Sequence, residues 1–369
     1  MVLKNRRTLA TTASFSASTT STIQIPRDFL VQRINLAYVG TVVNSSTSAL
    51  TSGAPFGIMK YVRLKAVGEG SSKTIFEVKG EDLGNLNYFQ YGNGCLTQAS
   101  PTITGTHTNG LQFFATLDFR TDFSDPSDFS VAIPSYLLST LQLEIEWNTV
   151  ALGLGSNAAI SNDTLTVSLV EGIPEANDPD FSNNPLQTTL YKELNGDSSS
   201  ASTEDFSTFF NVGALIRTNF LITETSAGAL SDAEIDYYTV TSGTIPLISK
   251  QNFRDSKMSD IEDWGLTNSG SALFGNSSIA SVTFAFPLVN QPAMTGVASS
   301  GTSTSGIQTI TGWTAIDFMN PLNPFISTEI GSEIDGLDTS QFNVGDLTLS
   351  VYKNNASSIL RTIQITTEG

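Results

Sequence analysis

Apolar and polar residues alternate with a period of two along much of the chain. Leu141, Leu143, Ile145 and Trp147 are interleaved with Gln142, Glu144 and Glu146, which gives a strand one buried face and one wet face. Leu165, Val167 and Leu169 do the same between Thr164, Thr166 and Ser168. The period recurs at Val282, Phe284 and Phe286, at Leu347, Leu349 and Val351, and at Ile363 and Ile365. Val62, Leu64 and Ala66 lead into Gly68, Glu69, Gly70, Ser71 and Ser72 and out through Phe76 and Val78, the pattern of a hairpin. Helical signals are confined to residues 231–238 and 259–264, each opened by a serine suited to cap an acidic first turn. Short strands broken by frequent turns predict an all-β chain of antiparallel sandwiches or barrels with few short helices.

Composition narrows the choice. Hydrophobic residues make up 39% of the 369 positions and charged residues 14%, against ~45–50% and ~25% in an average globular chain. Ser, Thr, Asn and Gly fill the difference, while 22 Phe and 9 Tyr still supply the bulk of a large core and exclude wholesale disorder. No run approaches the ~18 consecutive apolar residues of a membrane-spanning helix. Frequent turn formers and few Ala, Leu, Glu, Lys and Arg exclude a helical bundle or coiled coil.

The net charge of −17 repels duplex nucleic acid and anionic lipid over most of the surface, so no specific nucleic-acid partner is expected. Lys4, Arg6 and Arg7 are the exception, ahead of a stretch to Thr22 made mostly of Ser, Thr and Ala. Residues 1–22 therefore read as a flexible N-terminal arm. It is either a plain solvated terminus or an electrostatic foot on an anionic partner, where each cation near a charged membrane contributes ~1 kcal/mol. The same stretch lacks the apolar centre of a secretion signal, so export by that route is not expected. The sequons at Asn44, Asn162, Asn276 and Asn355 then read as products of Ser/Thr-rich composition. A single cysteine, Cys95, excludes an internal disulfide or a cysteine-based zinc site. A single histidine, His107, in a Thr/Gly-rich stretch, leaves little basis for a Ser-His-Asp triad or a multi-histidine metal centre.

The chain also repeats itself. Phe29-Leu30-Val31 precedes Arg33-Ile34-Asn35-Leu36, and Ala214-Leu215-Ile216 precedes Arg217-Thr218-Asn219-Phe220, with Arg33 and Arg217 184 residues apart. Leu117-Asp118-Phe119 returns as Ile316-Asp317-Phe318, 199 residues on, and Glu171-Gly172 as Glu368-Gly369, 197 residues on. Matches in the same order predict two similar β domains in tandem, residues 23–172 and 206–369. The Pro-, Asn-, Asp- and Ser-rich residues 173–205 read as a linker. Each half is long enough for eight strands of ~5–6 residues.

Two such sandwiches without catalytic equipment resemble the double jelly-roll major capsid proteins of tailless icosahedral double-stranded DNA viruses, many of which carry an internal membrane. The residues that carry the resemblance run from Ile25-Pro26-Arg27-Asp28 through Phe29–Leu36, after a polar N-terminal stretch. Ile133-Pro134-Ser135-Tyr136-Leu137-Leu138, leading into the strand at Leu141–Trp147, adds to it. The resemblance implies two tandem eight-stranded jelly rolls and a homotrimer whose six sandwiches form a pseudo-hexameric tile of an icosahedral shell. It also implies a virion location with assembly in the host cytoplasm. The implied partners are other copies in the trimer and in neighbouring capsomers, minor capsid and penton proteins, and an internal viral membrane met by Lys4, Arg6 and Arg7. The residues leave a second reading open, an adhesive or glycan-binding β-sandwich of a fibre or surface layer.

Other candidate chemistry reads as structure. Gly68 to Thr74 lacks the glycine before Lys73 that a phosphate loop needs, and a strand follows it. Gly153-Leu154-Gly155 is half a dinucleotide fingerprint without a βαβ context. Asp118, Asp122, Asp125 and Asp128 are oxygen-rich enough for Ca²⁺ but match no EF-hand spacing, and the acidic run 175–180 is weaker still. Trp147, Trp264 and Trp313 read as core anchors. No catalytic residue, cofactor or metal site is expected.

Overall fold

A computed structural model describes residues 2–44, 48–49, 55–68, 71–91, 97–98, 102–103, 108–120, 123, 125–155, 157–174, 188–194, 205–253, 255–256, 259–260, 312–318, 336–355 and 357–368. The chain divides into two compact units, one taking in the described residues up to 174 and the other those from 188 onward.

In the first unit, eight principal strands build two sheets. They are β1 (Val2–Thr8), β2 (Thr20–Gln24), β3 (Leu30–Asn44), β5 (Met59–Gly68), β6 (Ser71–Lys79), β9 (Thr108–Asp118), β11 (Thr140–Trp147) and β12 (Ala158–Pro174). Short strands β4 (Ser48–Ala49), β7 (Thr97–Gln98), β8 (Thr102–Ile103) and β10 (Ile133–Pro134) lie between them. One sheet runs β1-β12-β3-β9 and the other β6-β5-β11-β2. Counted by chain position, the orders are first-eighth-third-sixth and fifth-fourth-seventh-second. In the second unit the eight are β13 (Thr188–Leu194), β14 (Asp205–Phe209), β15 (Leu215–Glu224), β16 (Ile235–Ser242), β17 (Ile245–Asn252), β18 (Trp313–Asp317), β20 (Leu347–Lys353) and β21 (Ile359–Glu368), with β19 (Leu337–Asp338) added to β15. Their sheets run β18-β15-β21-β13 and β14-β20-β16-β17. Both units therefore obey one strand order, in which every chain-adjacent pair but the fourth and fifth crosses between sheets. That is the double Greek key of a jelly roll.

Alternation explains the cores. Along β11 every second residue, from Leu141 to Trp147, is buried and the glutamates between them are half-exposed. The Val62–Val78 and Leu64–Phe76 pairs confirm the hairpin of β5 and β6. Inside the first unit Tyr38 stacks on Phe113 with ring centroids 4.9 Å apart. Trp147 is 1% exposed, and its indole N–H donates to Ser21 Oγ at 2.8 Å. In the second unit Ile216, Leu221, Tyr238, Val240, Leu347, Leu349, Val351 and Leu360 share one core cluster. Trp313 is fully buried against Phe220.

On the wet face of the second sheet the glutamates form an ion-pair ladder. Glu146 accepts from Lys60 at 2.6 Å and from Arg63 at 2.7 Å, Arg63 also reaches Glu77 at 2.7 Å, and Lys65 pairs with Glu144 at 2.7 Å. The hydrogen bonds from Lys60 and Arg63 hold the Glu146 carboxyl below its ordinary range. A depressed carboxylate stabilises the fold above its unfolded value of 4.5, and that contribution is lost as pH falls through the lower folded value. Exposed pairs are worth ~1 kcal/mol or less. Glu146→Gln is thus expected to cost no more than that near neutrality, with parent and variant converging in urea unfolding once Glu146 is protonated.

Several expectations need correction. Residues 2–8 are not a free arm: they are β1, paired with β12 from Val2–Pro174 to Thr8–Ser168. Thr20–Gln24 is β2 and pairs with β11, so the first sandwich begins before residue 23. The expected linker at 173–205 holds the end of β12 and, at Thr188–Leu194, the first strand of the second unit, paired with β21. Residues 231–238 are not a helix. Ser231 Oγ accepts the N–H of Ala233 in a turn, and from Ile235 the β-forming Tyr237, Tyr238 and Val240 pair with β20. Of 259–264, Ser259 and Asp260 are helical and the rest lies outside the described residues, as does the strand expected at Val282–Phe286. Helix α1 (Gly80–Tyr91) has no clear sequence signal. It starts at a glycine because a Cβ there would lie 2.1 Å from the Met59 carbonyl.

The repeat is real in topology but one residue out of step in β3 and β15. Both strands bulge: the pairing of β3 with β12 skips Gln32, and that of β15 with β21 skips Arg217. Phe119 N–H donates to Gln32 O at 3.1 Å, and Phe318 N–H to Arg217 O at 2.9 Å. Gln32 and Arg217 are thus equivalent, not Arg33 and Arg217. The Leu117–Phe119 and Ile316–Phe318 match stands, because Asp118 pairs with Arg33 and Asp317 with Thr218. Glu171 corresponds to Thr366, opposite Val31 and Ile216, rather than to Glu368.

Candidate functional site: a cationic sheet edge

The three N-terminal cations lie on β1, the outermost strand of its sheet, and the pleat divides them. Arg7 turns to Glu171 and Asp28, with contacts of 2.6 and 2.8 Å, and its guanidinium lies 5.9 Å from the Phe29 ring centroid. Partial burial works against its charge, but the hydrogen bonds to Asp28 and Glu171 outweigh that and raise its pKa. The Glu171 side chain is fully buried, and Asn5 Nδ2 also donates to it at 3.3 Å. Arg7 is therefore a structural cation.

Lys4 and Arg6 fall on the opposite, outer face and are exposed. Register places Arg6 beside Val170, Val170 beside Arg33 and Arg33 beside Asp118, one row across four strands. Lys4 Nζ donates to Pro126 O at 2.9 Å. Partial desolvation, then repulsion from Arg33, Arg6 and Arg120, lowers its pKa. Arg33 was not singled out as a site residue by the sequence. Only the β3–β12–β1 register, which carries no local motif, brings it to Lys4 and Arg6.

The acidic cluster is occupied by local structure. Asp118 is fully buried and holds Arg120, itself 3% exposed, through Nη2–Oδ2 at 2.6 Å and Nε–Oδ1 at 3.0 Å. Tyr91 Oη donates to Asp118 Oδ2. Burial, then the Asp118 charge and hydrogen bond, push the Tyr91 phenol well up, while the hydrogen bond and charge of Asp118 raise Arg120 against its own desolvation. Asp125 Oδ1 accepts from Ser127 N and Oγ, and Asp128 Oδ1 from Ser130 N and Oγ, two turns of the Asx kind. Among the described residues no three potential metal ligands converge. Asp122, Cys95, His107, Trp264 and residues 175–180 lie outside the described residues. Asn162 is exposed with φ 49° in the bulge of β12, and Asn355 donates to Glu234 at 3.1 Å.

With no catalytic constellation among the described groups, strand order is the most informative feature, and comparison with solved structures bears on it directly. No family model matches the chain, and no curated protein does. The crystal structure of the major capsid protein of Sulfolobus turreted icosahedral virus superposes with a TM-score of 0.70 at 14% identity, covering 99% of this chain and 96% of that one. This chain has the double jelly-roll fold. The capsid of PBCV-1 matches at a TM-score of 0.58 and 11% identity, covering 100% and 94%. The major capsid protein P2 of bacteriophage PM2 matches at 0.53 and 11%, covering 100% and 98%. The matches cover 99–100% of this chain and 94–98% of these neighbours, and the identities show how little sequence the fold requires.

Proposed function

We propose that this double jelly-roll chain is the major subunit of an icosahedral virion shell. It assembles as a homotrimer whose six sandwiches make a pseudo-hexameric tile, and it works through contacts between copies rather than through catalysis. One observation carries the reading: two consecutive units share one jelly-roll strand order over a length matched, end to end, by capsid proteins. Six similar walls around a threefold axis are then available from three chains, with closed symmetry.

The surface supports it. Interfaces of obligate oligomers bury on the order of 2,000 Å² or more and draw on exposed apolar side chains. Val39 and Phe114, 51% and 40% exposed, lie on the outer face of the first unit's sheet, and the second unit exposes Ile245, Leu247 and Val344 at 64%, 43% and 83%. Native mass by light scattering tests the trimer: three times 39.4 kDa is expected at micromolar concentration, and a monomer at every concentration overturns it.

A further inference from the structure

We infer that the free edge of β1 is a docking strand for an extended, acidic segment of a partner protein, which adds to the sheet of the first unit as one more strand. Leu9 N–H donates to Val167 O at 2.9 Å, and pairing alternates from there. Leu3, Asn5 and Arg7 therefore direct their backbone groups to β12, while Val2, Lys4, Arg6 and Thr8 direct theirs away from it. No strand among the described residues takes up that outward row, and Leu3, Lys4, Arg6 and Thr8 are all exposed.

Cations on an edge strand ordinarily discourage sheet-to-sheet association. Here they do more than guard. Lys4, Arg6 and Arg33 share one face beside the open edge, close enough that Arg33 and Arg6 repel the Lys4 ammonium. No carboxylate among the described residues lies within ion-pair distance of Arg6 or Arg33, and one N–H of Arg33, at Nε, is buried without an acceptor. A chain of net charge −17 thus gathers three cations beside a row of unused backbone donors and acceptors. Strand addition supplies affinity through the main chain and specificity through alternate side chains. A segment with a carboxylate at every second residue satisfies both, whereas a basic segment fails the charged face and a proline-interrupted one fails the backbone row. The inference concerns the first unit alone and stands whether or not three copies associate.

The test uses the full chain and a fluorescein-labelled Thr-Glu-Thr-Glu-Thr-Glu-Thr peptide, with Lys-for-Glu and Pro-for-Thr versions as controls. Anisotropy is expected to show binding of the Thr-Glu peptide only. Hydrogen exchange is expected to slow about tenfold at the Lys4, Arg6 and Thr8 amides, with no change at Asn5 and Arg7. The double substitution Lys4→Glu, Arg6→Glu, whose side chains face solvent, is expected to weaken the Thr-Glu peptide about tenfold and to admit the Lys version. Equal binding of the proline peptide without amide protection, binding to phosphatidylglycerol vesicles but not to the peptide, or no binding at millimolar peptide each overturns the inference.

Discussion

A chain lacking residues 1–8 is expected to lose its cooperatively folded first unit. The deletion removes the first strand of a jelly roll, seven paired positions along β12, and uncovers a long ladder whose N–H and C=O groups then face solvent. It also leaves Glu171, whose side chain is fully buried, without Arg7 and Asn5. Removing one partner of a fully buried ion pair costs about 3–5 kcal/mol, an upper bound here because Arg7 is 30% exposed, and still a large part of the ~5–15 kcal/mol by which a domain is stable. Differential scanning calorimetry is expected to show the first unit's transition lost or moved far down, with aggregation through the exposed β12 edge. A dispensable arm would instead leave the transition where it was. Arg7→Lys separates charge from geometry, because an ammonium keeps the charge but loses the forked contact to Glu171 and Asp28.

Asp118→Ala is expected to destabilise the same unit by about 3–5 kcal/mol, because it removes one partner of the buried Asp118–Arg120 ion pair. Asp118 also accepts from Tyr91 and from the Arg120 N–H at 3.0 Å, so one substitution removes the acceptor that Tyr91 and Arg120 share. Arg120 Nη1 still donates to the Asp125 carbonyl at 3.0 Å, a neutral acceptor that does not replace the carboxylate. The double variant Asp118→Ala, Arg120→Met is expected to recover much of the loss, since it removes the stranded charge along with its partner. Urea unfolding of the four members of that cycle measures the coupling. Additive losses would show that the two side chains do not act as a pair.

Residues explain what the sequence makes legible. β11 is readable because each of Leu141, Leu143, Ile145 and Trp147 is buried and each residue between them is not, so local pattern and global burial agree. β1 is hidden because neither of its faces is apolar: Lys4, Arg6 and Thr8 alternate with Leu3, Asn5 and Arg7. It belongs to the sheet through ladder bonds and the Arg7–Glu171 pair, both set by residues 160 or more positions away. β13 is hidden for a similar reason, inside a Pro- and Asn-rich stretch whose composition suggests a linker.

The repeat shows a different limit. A four-residue match tolerates a one-residue slip, and in a strand that slip exchanges the two faces. The bulges at Gln32 and Arg217 absorb one residue each, so only hydrogen-bond register sets the true alignment. The acidic cluster around Asp118 is similarly ambiguous from spacing alone. Burial separates Asp118, an ion-pair partner, from Asp125 and Asp128, which close exposed turns. Arg33 joins the cationic face only through its place in the sheet.

Electron cryo-microscopy of the purified protein tests most directly whether twin sandwiches are the building block of a shell. Class averages are expected to show particles with threefold symmetry and six lobes in a hexagonal outline, two lobes from each chain. Isolated two-lobed particles that do not associate on concentration would contradict the account.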